Sequence, residues 1–67
     1  MRIADIKKVA ERQPFRPFIV RLSNGAEYEF KEPRDFAAPR NYRSIIHFDE
    51  DDWALIDADN ITEIIDR

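Results

Sequence analysis

The chain reads as mainly β with one N-terminal helix, followed by five short antiparallel strands curled into a small barrel. Three observations predict this. Apolar residues recur at helical spacing only over residues 3–12, and a run of β-formers folds back on itself around Ser23-Asn24-Gly25. Three more short apolar runs, 44–48, 53–57 and 61–65, are separated by acidic or Asn-containing turns.

Ile3, Ile6, Val9 and Ala10 share one face, with Lys7, Lys8, Glu11 and Arg12 elsewhere, which predicts an amphipathic helix over 3–12. A helix of about three turns is marginal alone. Its stripe must therefore dock, either on the open end of a barrel or on a neighbouring subunit. Pro14 and Pro17 end the helix and lead the chain, flanked by Phe15 and Phe18, into extended geometry.

Asn24-Gly25 suggests a two-residue hairpin turn. Register rejects it. A two-residue loop sets Leu22 against Glu27 and Val20 against Glu29, placing carboxylates on the aliphatic face. A three-residue loop, Ser23-Asn24-Gly25, instead pairs Leu22 with Ala26, Val20 with Tyr28 and Phe18 with Phe30, all on one face. Arg21 then meets Glu27 on the other face, and Ile19 meets Glu29. The strands are predicted at about 18–22 and 26–30. Gly25, the only glycine, falls where the bulge needs positive φ, so a β-branched residue there is expected to destabilise the hairpin.

Lys31 to Arg43 reads as a long connection, interrupted by Pro33 and Pro39 and carrying four basic residues. Along 44–48, alternation places Ile46 and Phe48 on the inner face and Ile45 and His47 on the other. Asp49 to Asp52 forms an acidic turn, and Trp53 opens the returning strand as a packed residue. Asp57 to Asn60 makes a tight turn into the last strand. Because Ile64 and Ile65 are adjacent, one of them must point outward. Five short strands protect their edges by curling into a barrel, whereas a flat sheet leaves one face bare. A sheet covered on one side by the helix is the open alternative.

With 67 residues and no composition break or repeat, residues 1–67 read as a single domain. A core of this size rarely supplies more than about 3–5 kcal/mol, so a partner would help. The absence of cysteine excludes a disulfide framework and thiolate metal sites, and suits a cytoplasmic setting. No apolar run is long enough for a membrane helix. The net charge of −3 gives polyanions no overall attraction, so nucleic acid is not a favoured partner.

The residues that suggest binding lie in the long connection. Arg34, Phe36, Arg40, Tyr42 and Arg43 interleave guanidinium groups with aromatic rings, a composition suited to stacking on bases while holding phosphates, and equally to an acidic protein or peptide. The plainer reading anchors Phe36 and Tyr42 in the core and leaves the arginines to pair with carboxylates. Asp49-Glu50-Asp51-Asp52 lacks the spacing and glycine of a calcium loop and reads as a solvated turn. His47, the only histidine, has no cysteine or second histidine to act with, so neither enzymatic activity nor a cofactor or metal is expected. Ile19, Ile45 and one of Ile64 and Ile65 are apolar residues left on outward faces. They point to burial against the helix or a second copy.

Two resemblances accompany these readings. Pro14-Phe-Arg-Pro-Phe18, Leu22-Ser-Asn-Gly25, Pro33 with Phe36, Ile56-Asp57 and Asn60-Ile-Thr62 together resemble a family of small bacterial proteins of uncharacterised function, which implies no activity. More remotely, the order of elements, the early Leu22-Ser-Asn-Gly25 turn and the final Ile61-Thr-Glu-Ile-Ile65 strand resemble the Sm-like branch of the SH3-like small barrels. That resemblance implies rings joined through 53–57 and 61–65 that bind RNA. The segment before the last strand, Asp57-Ala-Asp-Asn60, departs from the basic, histidine-containing segment of the bacterial branch. The expectation is a noncatalytic interaction or self-assembly module, with a homo-oligomer or a protein as partner. The alternative is an RNA-binding ring.

Overall fold

The computed structural model describes residues 2–66. Helix α1 (Ile3–Ala10) precedes six strands: β1 (Phe18–Leu22), β2 (Glu27–Phe30), β3 (Phe36–Ala37), β4 (Ser44–Phe48), β5 (Trp53–Asp57) and β6 (Ile61–Asp66). They form two antiparallel three-stranded sheets, ordered β2-β1-β6 and β3-β4-β5. This is mainly β with one N-terminal helix, but it is not the closed five-stranded barrel expected. Among the described residues no ladder joins β2 to β3 or β5 to β6. Two 3₁₀ turns, Pro33–Asp35 and Ala58–Asn60, carry the chain from one sheet to the other instead. The second is tied to both sheets, Ala58 N–H donating to the Arg43 carbonyl at 2.9 Å and Ser23 N–H to the Asn60 carbonyl at 2.8 Å.

The hairpin has the three-residue loop. Phe18 pairs with Phe30, Val20 with Tyr28 and Arg21 with Glu27. Leu22 N–H reaches the Ala26 carbonyl at 2.8 Å, and Gly25 has φ +90°. A Cβ on Gly25 would meet no atom within 4 Å, so backbone conformation alone selects glycine there. Arg21 lies between two carboxylates, 2.8 Å from Glu27 and also paired with Glu63 of β6. The β1–β6 register shifts between Arg21 and Leu22, with Arg21 opposite Glu63 and Leu22 opposite Ile61. This bulge lets both Ile61 and Ile64 contribute to the core despite their three-residue separation. Ile65 is the outward one of its pair, lying beside Ile19. Ile19 does sit on the outer face, but as part of the central strand it is buried by its neighbours.

Residues of α1 and of both sheets share one core, built on Ile6, Phe18, Val20, Phe30, Tyr42, Ile45, Ile56 and Ile61. Ile6 and Ala10 are buried and Ile3 and Val9 pack at the margin, so the helical stripe docks as its spacing requires. The helix ends at Ala10 rather than at residue 12: its last hydrogen bond runs from Glu11 N–H to the Lys7 carbonyl at 2.9 Å, and Pro14 disfavours helical backbone at Gln13 just beyond. Residues past the end are used otherwise. Glu11 accepts the Tyr42 hydroxyl at 3.1 Å, and Arg12 grips Asp66 at the end of β6 at 2.6 Å. That pairing holds the Asp66 carboxyl below its ordinary range, chiefly through the hydrogen bond.

The faces of β4 are opposite to the expectation. Ile45 pairs with Ile56 and is 2% exposed, while Ile46 is opposite Leu55 and Phe48 opposite Trp53 on the outer side. His47 therefore points inward, packed on Tyr28 and Phe30 with ring centroids 5.2 and 5.0 Å away. Its Nε2–H donates to the Glu29 carbonyl at 2.9 Å, a side-chain bridge between β4 and β2 where a barrel would have a ladder. Trp53, expected to pack, is 63% exposed.

Candidate interaction surface

The long connection is not one unit. Arg34 lies on the first 3₁₀ turn, exposed and 2.6 Å from Glu32. Phe36 forms β3, half-buried, with its ring edge-on to Phe30 at 5.4 Å and near Phe15 and Phe18. Tyr42 is buried at φ 53°, so the turn after Pro39 drives its ring inward. Burial, with the Glu11 hydrogen bond second, raises the Tyr42 hydroxyl above its usual value and keeps it a neutral donor. Arg40 and Arg43 are exposed beside it. Both aromatic rings are thus spent on the core, and the structure does not interleave them with the arginines on one surface.

What β4 and β5 bring together instead is an apolar outer face. Alternation and the ladder register set Ile46 beside Leu55 and Phe48 beside Trp53, while β3 adds Ala37 opposite Ile46. Leu55 is 65% exposed and Phe48 44%. Where β3, β4 and the Pro39 turn meet, a hollow of about 240 Å³ opens on this side, lined by Ala37, Ala38, Pro39, Ser44, Ile46 and Leu55. The sequence held the signal for this surface in the mirrored pair Phe48 and Trp53 around a four-residue acidic turn. It was concealed because either parity of β4 gives one isoleucine to the core.

A larger open groove of about 860 Å³ runs between β2 and the β4–β5 turn, with Tyr28, His47, Phe48 and Trp53 among its lining. Seven carboxylates and only two cations border it, Lys31 and Arg34. The acidic turn itself is backbone-satisfied: Asp49 Oδ1 accepts Glu50 N–H and Asp52 Oδ1 accepts Trp53 N–H. Among the described residues no group of three or more His, Asp or Glu side chains is placed to hold a metal ion. None of the described helices is long and apolar enough to cross a membrane.

No family model, curated protein or solved structure matches the chain.

Proposed function

We propose that this chain is a noncatalytic protein-interaction or self-assembly module whose contact surface is the outer face of β3, β4 and β5. The observation that carries this reading is the row of Phe48, Trp53 and Leu55, large apolar side chains held out by strand register on one side of one sheet. Apolar groups scattered singly need no explanation, but a contiguous set does. Trp is also, with Tyr and Arg, enriched among the residues that anchor interfaces. The noncatalytic part is supported by His47, whose Nε2–H is committed to the Glu29 carbonyl and whose ring packs on Tyr28 and Phe30.

The test is a photoreactive amino acid at position 55, with the exposed Thr62 of β6 as the control position. Cross-linking in cells from 55 but not from 62, whether to the same chain or to another protein, is the expected result. Equal cross-linking from both, or none from 55, removes the reading.

An RNA-binding ring with an Sm-like barrel is the second reading. One observation favours it: β5 and β6 each pair on one side only, leaving the edges that such rings join. Binding to a mixed RNA pool that weakens steeply with salt would support it, and no binding at low salt would end it.

A further inference from the structure

We propose that the occupant of this outer face is a second copy of the chain, docked about a two-fold axis with its β4 and β5 antiparallel to those of the first. The inference rests on the interaction reading above and names its partner.

Phe48, Trp53 and Leu55 together expose roughly 350 Å² at their observed exposures, the size of the largest apolar patch on a typical monomer, which is often functional. The hollow beside them, about 240 Å³, is below the size of ordinary small-molecule pockets but suits one large side chain. A face that presents both a protruding Trp53 and an apolar hollow is self-complementary in the way a two-fold contact requires.

Charge selects the orientation. The end of the face carrying Phe48 and Trp53 runs into Asp49, Glu50, Asp51 and Asp52, all exposed. At the other end, beside Ser44, lie Arg40 and Arg43, exposed and in no ion pair among the described residues. Asp57 and Asp59 are also at that end, but the Asp57 carboxylate is turned onto its own chain, accepting Asp59 N–H at 2.9 Å. A two-fold axis along the strands would stack one acidic turn on the other. An axis across the strands instead sets each acidic turn over the partner's arginines and lays Trp53 along the partner's β5, toward Leu55 at the rim of its hollow. Like-charge stacking rules out the first arrangement.

Sedimentation equilibrium on the full chain, from about 5 to about 500 μM, is the test, because a contact of this small area gives a weak dimer. The expected result is a reversible dimer that Leu55→Asp abolishes. Arg40→Glu with Arg43→Glu weakens association by about tenfold or more, as does Asp51→Lys with Asp52→Lys, since symmetry repeats each reversal. An equimolar mixture of the two charge variants recovers at least wild-type association. Circular dichroism melts establish that each variant is folded. A strict monomer throughout overturns the proposal, and so does a mixture that associates no better than its components. If a monomeric chain still cross-links to a different protein from position 55, only the second-copy occupant fails. With no cross-link either, the interaction reading fails too.

Discussion

Phe30→Ala is expected to leave the chain largely unfolded at 25 °C. Phe30 is fully buried, its ring parallel to Phe18 at 4.9 Å between centroids and edge-on to Phe36 and His47. It lies on β2, yet its contacts reach β1, β3 and β4, so it is the ring at which the two sheets meet. Truncating a buried Phe costs about 3–5 kcal/mol, the lost transfer free energy plus the cavity left behind. A core of this size supplies about the same amount in total. The comparison is Phe48→Ala, which removes the same atoms from a partly exposed outer position and should cost no more than about 1 kcal/mol. Urea titration followed by far-UV circular dichroism reads both. If Phe30→Ala kept a cooperative transition within 1 kcal/mol of wild type, the shared aromatic core would not be what joins the sheets.

How far the sequence reveals this structure depends on how tightly local physics constrains each segment. The hairpin was legible because only one loop length keeps Glu27 and Glu29 off the face of Val20 and Leu22, and a mistake there would bury charge. The stripe of α1 was legible for a similar reason, since Ile3, Ile6, Val9 and Ala10 share one face while Ala4, Asp5, Lys7 and Lys8 take the exposed positions. The two sheets were harder to see. Closing a barrel needs a backbone ladder between β2 and the strands after it, and nothing local in Lys31 to Arg43 says that a 3₁₀ turn and a two-residue strand intervene. The basic-aromatic segment divides in a particular way. Composition sets Phe36 and Tyr42 beside the arginines in sequence, but the extended backbone at Phe36 and the positive φ of Tyr42 send both rings toward the core. The outer face was lost to the symmetry of Ser44-Ile45-Ile46-His47-Phe48. The alternation expected there has the wrong parity, because the histidine gains a carbonyl partner and two aromatic neighbours inside, whereas Phe48 pairs with Trp53 outside.

Two neighbouring substitutions turn that parity into a measurement. Ile45→Asp should abolish the cooperative thermal transition. Its side chain is 2% exposed, opposite Ile56 in a shared core made of apolar and aromatic residues. An unpaired buried charge, or its protonation to avoid one, adds several kcal/mol to the loss of packing and exceeds what a core this small can supply. Ile46→Asp, one residue on, places the same carboxylate on the half-buried outer face between Ala37 and Leu55, where solvent reaches it. The cost there should be about 1 kcal/mol, read as a melting temperature lowered by several degrees with the transition still cooperative. The opposite ranking would mean that β4 turns its other face to the core. It would also return Phe48, Trp53 and Leu55 to the interior and remove the surface on which the proposed assembly depends. With the expected ranking, Ile46→Asp becomes a second probe of that surface. It should weaken association in a folded chain, as Leu55→Asp does, because a charge in the middle of an apolar contact must be desolvated without a partner when the two faces meet.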